Sequence, residues 1–368
     1  MTCHTAPGGE PYAGGRAIPT PFGQVYATNI TPDAKTGIGA WSRAAFERAM
    51  GDGVRRDGAQ LYPAFPYDHF RILDQADLDA LYAFLITRRP VNAPTPANRL
   101  TPPLGFRPLL VGWKWLFLRP PAPQPKSADN VIRRGAYLVA GLGHCGACHT
   151  PHNSLGAEEP AQAFDGGWSE GWYAPPLNAK NPAATAWTVE GLHAFLRTGL
   201  DVDHAAAAGP MGDVTRELAT APDEDVRAMA VYIASQMAKS PANSGARKAP
   251  ADRVQLAARD HPSGAALFAG ACAGCHEPGV PMMLQGRPPL QLGSPLQEDD
   301  PRNTILIIRQ GLAPPSGRSG PTMPAFGDAF TTRQTAELVA YLRERFSDGP
   351  PWPDLPKAVA KARKAAAP

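Results

Sequence analysis

Apolar residues recur at helical spacing in short stretches of the chain, and these stretches form three similar groups. Each group has a middle helix that ends in glycine, predicted over residues 41–53, 187–199 and 303–311. Each group closes with an amphipathic helix, predicted over residues 74–85, 223–233 and 331–342. Another helix precedes the second and third of these pairs, near residues 130–139 and 263–271. The pattern predicts a mainly α protein built from three tandem modules of about one hundred residues each.

Polar residues and turn formers agree with this division. Ser42 and Thr188 each follow a tryptophan where a middle helix begins, and a hydroxyl side chain at that position caps a helix N-terminus. The 36 glycines and 42 prolines favour short helices joined by long loops. We predict three modules, over residues 1–89, 128–239 and 255–347. A proline-rich linker (90–127) joins the first two, a second linker (240–254) joins the last two, and a tail (348–368) follows.

Composition and charge exclude several classes of protein. With 43% hydrophobic and 19% charged residues, the chain can bury several small cores. The net charge is only +3 and no stripe of basic and aromatic residues appears, so we expect no nucleic-acid partner. No apolar run approaches the roughly 18 residues that a membrane-spanning helix needs.

The five cysteines follow one pattern. Two segments are complete copies of it, Cys145-Gly146-Ala147-Cys148-His149 and Cys272-Ala273-Gly274-Cys275-His276, and the N-terminal Cys3-His4 is the end of a third copy. Cys-x-x-Cys-His is the attachment signature of c-type haem. On a helical turn both thiols face one side and can add to the vinyl groups, while the next imidazole reaches the iron. We therefore predict haem c on all five cysteines, with His4, His149 and His276 as proximal iron ligands.

A Cys-x-x-Cys pair also suits a redox dithiol or half of a zinc site. A thioredoxin-like dithiol needs a surrounding βαβ pattern, which the sequence lacks, and a zinc site needs further clustered ligands. The histidine that follows both complete copies favours haem instead. For Cys3-His4 the alternative is an accidental pair near the start of the chain, and the repeat pattern favours haem there as well.

Methionines are the candidate sixth ligands in the second and third modules. A haem that transfers electrons usually has both axial positions filled, and a thioether opposite the histidine raises its potential. Met211 and Met323 occupy the same place, before the closing helix, in predicted loops flanked by proline or glycine. Such a rigid turn suits a ligand. The alternative for each is a methionine that fills a gap in the core.

The first module lacks this methionine. Met211 lies 62 positions after His149, whereas the position 61 after His4 is Phe65, whose ring cannot bind iron. Either the first haem is five-coordinate or another side chain reaches it. His69 is the best substitute and Met50 a weaker one, and the alternative for His69 is a surface histidine.

With these motifs the chain resembles a known family, the three-haem cytochrome c subunits of periplasmic, membrane-associated bacterial dehydrogenases. Complexes of quinoprotein alcohol dehydrogenase and of flavoprotein gluconate dehydrogenase contain such a subunit. The resemblance covers roughly residues 1–347 and rests on both complete haem motifs and on shorter segments such as Asn29-Ile30-Thr31-Pro32-Asp33 and Met323-Pro324-Ala325-Phe326.

The resemblance implies three class I cytochrome c-like domains, three haems c in the full-length protein, proximal ligands at the three histidines and distal ligands at Met211 and Met323. It implies a subunit that takes electrons singly from a dehydrogenase catalytic subunit and passes them to ubiquinone or a terminal oxidase. Alcohol-oxidising members usually carry methionine where this chain has Phe65. The segment Phe65-Pro66-Tyr67-Asp68-His69-Phe70 is more similar to subunits paired with molybdenum hydroxylases, so quinoprotein, flavoprotein and molybdenum partners all stay open.

Family members acquire haem c outside the cytoplasm, so we expect a periplasmic, membrane-associated protein. The first cysteine of the first motif and a signal peptide are expected upstream of Met1. The basic, alanine-rich end of the chain is expected to be a frayed helix or a tail, and contact of its cations with anionic lipid stays open. A competing function is a haem peroxidase-like enzyme with an open site opposite His4, and only Phe65 supports it.

The apolar segment 109–118 has Lys114 in its middle and is too short to span a bilayer. We expect it to pack between modules. The alternative is a docking surface for the catalytic subunit or for the membrane.

Overall fold

The structure is a computed structural model that describes residues 3–120, 127, 129–204, 206–238, 249–281, 288–312, 314 and 323–365. Most of the second predicted linker, the end of the first and the last residues of the tail lie outside these ranges. The chain forms two compact units, Met1–Ala163 and Phe164–Pro368. No helix in the described ranges is both long enough and apolar enough to cross a membrane.

The first unit combines a small antiparallel sheet with short helices. The strands are β1 (Ala17–Thr20), β2 (Gly23–Tyr26) and β3 (Arg99–Leu100), in the order β1-β2-β3 with Ala17 opposite Tyr26. The helices are α1 (Arg43–Asp52), α2 (Tyr67–Phe70), α3 (Gln75–Ile86), α4 (Leu109–Phe117), α5 (Asn130–Ala140) and α6 (Gly146–His149). A 3-10 turn follows at Pro160–Gln162.

Local signals set the ends of the first unit's helices. The Ser42 hydroxyl accepts a hydrogen bond from the backbone N–H of Ala45, which caps α1 as predicted, and Gly53 ends α1 with a φ of 61°. Asp74 caps α3 in the same way. Phe46, Met50 and other side chains of these helices form one core. Tyr137 of α5 packs against this core, so α5, predicted to open the second module, belongs to the first unit.

The second unit has a hairpin and ten described helices. The hairpin pairs β4 (Gly167–Ser169) with β5 (Trp172–Ala174). The helices are α7 (Val189–Thr198), α8 (Pro210–Leu218), α9 (Asp223–Met237), α10 (Val254–Asp260), α11 (Pro262–Ala271), α12 (Ala273–His276), α13 (Ser294–Gln297), α14 (Arg302–Gln310), α15 (Thr332–Phe346) and α16 (Leu355–Ala365). A 3-10 turn lies at Leu290–Leu292.

The main core of the second unit is built from α10, α11, α14, α15 and α16. Leu338 of α15 and Val359 of α16 are fully buried in it. Gly264 of α11 lies against α15, where an added Cβ would come within 2.6 Å of the Cβ of Tyr341. Helix α16 therefore corrects the expected frayed end, because Leu355–Ala365 is helical and packs on α15 as part of this core.

Three findings bear on the predicted architecture. The helix-rich fold is confirmed, with small strands that were not predicted because each has only two to four residues. The boundary between the units follows Ala163, inside the second predicted module, so the division into three tandem domains stays a prediction. The segment expected to pack between modules forms α4, none of whose side chains is buried.

Candidate haem sites

The loop that carries His4 is held close to the loop around Thr28. The backbone N–H of Gly14 donates to the His4 carbonyl at 2.8 Å. Gly14 has a φ of 77°, and a Cβ there would lie 2.6 Å from the Asn29 nitrogen, so only glycine permits this approach. The approach allows the His4 Nδ1–H to donate to the Thr28 carbonyl at 2.7 Å.

This hydrogen bond gives His4 the arrangement of a proximal ligand. A backbone carbonyl that accepts from Nδ1 fixes the tautomer and the ring orientation and makes Nε2 the nitrogen with the lone pair. Burial lowers the pKa of His4, although the bond to Thr28 opposes this effect, and the neutral imidazole is the form that binds a metal.

The loop that presents the Thr28 carbonyl is fixed by buried polar side chains. The Asn29 side-chain amide donates to the Val91 carbonyl at 2.7 Å and to the Thr36 hydroxyl at 2.9 Å. The Thr31 hydroxyl and backbone N–H both donate to Asn29 Oδ1, at 2.8 and 2.9 Å. Asn29 and Thr31 are buried. The Asn29–Asp33 segment singled out in the sequence thus supports the His4 site.

The second motif forms one helical turn, α6. The His149 N–H donates to the Cys145 carbonyl at 2.9 Å, and the Cys145 N–H donates to the Val139 carbonyl of α5 at 3.0 Å. Burial, with a smaller contribution from Cys148, raises the pKa of the Cys145 thiol to about 12. Among the described residues, no third His, Cys, Asp or Glu ligand atom clusters with Cys145 and Cys148, so the further ligands that a zinc site needs are missing there.

The third motif has the same local geometry in α12. The His276 N–H donates to the Cys272 carbonyl at 2.9 Å. Burial is the largest cause, and Cys275 the second, of a rise in the pKa of the Cys272 thiol to about 11. None of the five cysteines forms a disulfide. The turn geometry fits covalent haem attachment at both complete motifs.

Met323, the predicted distal ligand of the third module, is held by backbone hydrogen bonds in both directions. Its N–H donates to the Leu312 carbonyl at 2.7 Å, and the Leu312 N–H donates to its carbonyl at 2.9 Å. Met323 and Cys272 are half-buried against the same core of the second unit. The structure therefore brings the third motif and its predicted methionine onto one core, in the rigid setting expected for a ligand.

Arg309 adds a cation that was not predicted as part of the site. Its Nε is buried and has no acceptor among the described residues. The guanidinium borders a cavity of about 620 Å³ lined also by Gln310, Ala325, Gly327, Asp328 and Ala329, just beyond Met323. Nη1 of Arg309 donates to the Gly327 carbonyl at 3.3 Å, and the Nε–H suits a carboxylate, such as a haem propionate.

The three middle helices end in the same local structure. Each is followed by a glycine with positive φ, and the next residue forms an isolated β-bridge; the pairs are Val54 with Gln60, Leu200 with Ala206 and Leu312 with Met323. Met211 lies five residues after Ala206, and Phe65 lies five residues after Gln60. This repeat supports the alignment of Phe65 with Met211.

Met211 does not lie in a loop as predicted. It occupies the first turn of α8, because Pro210 starts that helix at a position where proline is favoured. Met211 belongs to the second unit and His149 to the first, so their pairing as ligands of one iron stays a prediction.

Both ring nitrogens of His69 are already engaged. Nδ1 donates to the Ala140 carbonyl at 2.7 Å, and Nε2 donates to Glu158 Oε1 at 2.6 Å. Burial lowers the pKa of His69, but the bond to Glu158, the charges of Glu158 and Asp68, and the bond to Ala140 together outweigh it and raise the pKa to about 9. A protonated imidazole has no lone pair for iron, so ligation by His69 requires these contacts to break.

His69 instead packs against the second motif, where a Cβ on Gly146 would lie 2.8 Å from its Cε1. No sequence signal linked His69 to Glu158, 89 residues away. Met50, the weaker substitute, is buried in the core of the first unit beside Phe65.

Comparison with known proteins identifies relatives of this chain. Residues 259–342 match the family described as cytochrome c oxidase, cbb3-type, subunit III. The chain is 36% identical to the gluconate 2-dehydrogenase cytochrome c subunit of Pantoea cypripedii, over 99% of this chain and 86% of that protein. It is 34% identical to the cytochrome c subunit of the quinone alcohol dehydrogenase of Gluconacetobacter polyoxogenes, over 100% of this chain and 82% of that protein.

A longer relative is more similar in sequence. The chain is 45% identical to a subunit of the nicotinate dehydrogenase of Pseudomonas putida over 98% of its own length, but it spans only 30% of that protein. The names of the gluconate and alcohol dehydrogenase relatives, both cytochrome c subunits, favour an electron carrier of a dehydrogenase over a peroxidase-like enzyme.

Proposed function

The chain belongs to the family of cytochrome c subunits of dehydrogenases, and on that premise we propose that it is a haem c electron-transfer subunit. The observation that carries the proposal is the pair of complete Cys-x-x-Cys-His motifs, each folded as one helical turn in which the histidine N–H donates to the carbonyl of the first cysteine at 2.9 Å. Bound haem supplies an iron that accepts and releases one electron at a time. The polypeptide attaches it, orients the imidazole ligands and sets the surroundings of the iron.

Three haems are proposed for the full-length protein, one in each cytochrome c-like domain. Four cysteines hold two of them, with His149 and His276 as proximal ligands and Met211 and Met323 as distal ligands. Cys3 and His4 hold the other, and the hydrogen bond from His4 to Thr28 supports that assignment. The sixth ligand of this haem is His69 only if the bonds to Ala140 and Glu158 open.

The proposed electron donor is the catalytic subunit of a dehydrogenase, and the proposed acceptor is ubiquinone or a terminal oxidase. A partner of the nicotinate dehydrogenase type, a molybdenum hydroxylase, is favoured over quinoprotein and flavoprotein partners. Phe65 in place of methionine and the 45% identity to the nicotinate dehydrogenase subunit support that preference. The proposed location is the periplasm, in association with the membrane.

A redox titration of the exported, haem-loaded protein tests the proposal. Met323→Leu removes the thioether and keeps the apolar volume, so one haem should fall in midpoint potential while the others keep theirs. Met229→Leu is the matched control, because Met229 is a buried core residue of α9. A Met323→Leu protein with unchanged potentials, or a protein without redox-active haem, would contradict the proposal.

A further inference from the structure

Helix α4 and the segment just before it expose apolar side chains. Six large apolar side chains within residues 104–116 are exposed, out of fifteen such side chains among the described residues. Trp115 is 86% and Phe106 62% exposed, and the other four are Leu104, Leu109, Val111 and Leu116. We call these six residues the α4 face. Exposure of so many neighbouring apolar side chains to water is unfavourable, so the α4 face is a candidate interaction surface.

The polar contacts of α4 all lie on its inner side. Lys114 is its only charged residue, and Nζ donates to the carbonyls of Asp52 and Gly53 and to Gln60 Oε1, at 2.6 to 2.7 Å. These bonds use all three ammonium donors. Trp113 Nε1 donates to the Leu155 carbonyl at 2.9 Å. The helix is therefore fixed with its charge inward and its apolar side chains outward, the reverse of an ordinary surface helix.

The chain around α4 carries charge of one sign. Residues 80–128 contain seven lysines and arginines and no aspartate or glutamate. Arg99 and Arg119 flank the α4 face in sequence and are exposed. An apolar face with basic flanks complements a surface of apolar chains beneath anionic head groups.

We propose that the α4 face docks on an anionic lipid bilayer. Residues 104–118 carry no serine, threonine, asparagine or glutamine, whereas protein interfaces of ordinary size carry about one hydrogen bond per 100–200 Å². Lipid chains demand no such polar complement, and an exposed tryptophan is suited to the interface. The nine residues of α4 are about 14 Å long, so the helix lies in the plane of the interface. The inference deepens the proposed membrane association and does not depend on haem.

Vesicle flotation of the full-length, haem-loaded protein tests this inference. The probes are vesicles of phosphatidylcholine alone and of phosphatidylcholine mixed with phosphatidylglycerol. We expect wild-type protein to float with the mixed vesicles, and more weakly at high salt. Trp115→Ser combined with Leu116→Ser should lower the partition coefficient at least about tenfold, because two exposed apolar side chains no longer enter the bilayer.

The matched control is Val202→Ser combined with Val254→Ser, which removes two exposed apolar side chains from the second unit and should float like wild type. Absence of wild-type flotation, or equal loss in both double variants, would overturn the inference. A Trp115/Leu116 variant that floats normally but no longer co-purifies with dehydrogenase subunits would overturn it in favour of protein docking. The haem content of the same samples is measured as well. Protein that floats but carries no haem would contradict the proposed electron-transfer role and leave the proposed membrane docking intact.

Discussion

The ion pair between His69 and Glu158 makes the stability of the first unit depend on pH. The two side chains are only 12% and 22% exposed, and Nε2 lies 2.6 Å from Oε1. Glu158→Gln removes the carboxylate charge and keeps the size of the side chain. Without that charge, burial dominates and the pKa of His69 should fall toward or below its unfolded value.

The magnitude follows from the two pKa values. The pKa of His69 is about 9 in the folded protein, against 6.5 for an unperturbed histidine. A raised folded-state pKa stabilises the protein fully below pH 6.5, and the stabilisation disappears as the pH rises through 9. At about 1.4 kcal/mol per pKa unit, the difference corresponds to about 3 kcal/mol. Glu158→Gln should therefore lower the free energy of unfolding by about 3 kcal/mol more at pH ~6 than at pH ~10.

Urea denaturation of wild type and variant at both pH values measures this difference, because the other titrating groups are common to both proteins and cancel. Glu47→Gln is the control, since Glu47 forms an exposed pair with Arg43 that should contribute less than about 1 kcal/mol. A loss of equal size at pH ~6 and pH ~10 would show that Glu158 does not hold His69 in its charged form.

Three further changes test the packing of the second unit. Gly264→Ala should lower the free energy of unfolding by about 2 kcal/mol, because its methyl group meets α15, and thermal denaturation against Gly270→Ala on the same helix, where the space is open, checks this. Arg345→Met should cost about 3 kcal/mol in urea denaturation, because Arg345 is buried and binds both Asp252 and Glu277; a loss below about 1 kcal/mol would contradict that role. Thr331→Ala should cost about 1 kcal/mol by removing the capping box of α15, while Thr331→Ser should restore most of the stability.

Helix positions followed from local sequence. The predicted middle helix 41–53 is α1 (Arg43–Asp52), because the Ser42 cap and the left-handed Gly53 are both set by adjacent residues. The predicted closing helix 331–342 starts at its cap but continues to Phe346 in α15. That extra turn is stabilised by distant partners, since Arg345 binds Asp252, 93 residues away. Local patterns set where helices start, and long-range contacts decide how far they extend.

The candidate sites show the same limit. The haem motifs and the candidate ligand Met323 could be singled out from spacing, because each residue type repeats at a fixed place. The hydrogen bonds of the His69 ring could not be predicted in this way, since its partners Ala140 and Glu158 are remote in sequence. The apolar composition of 109–118 suggested packing, and only the structure shows that Lys114 takes the inner side and leaves Trp115 outside.

Covalent haem stoichiometry tests the central claim most directly. Intact-mass spectrometry of the exported protein should show haem bound through thioether bonds. Cys145→Ala combined with Cys148→Ala should remove one haem, and Cys272→Ala combined with Cys275→Ala should remove a different one. Wild-type protein without covalent haem, or double variants that keep the full wild-type haem mass, would contradict the account.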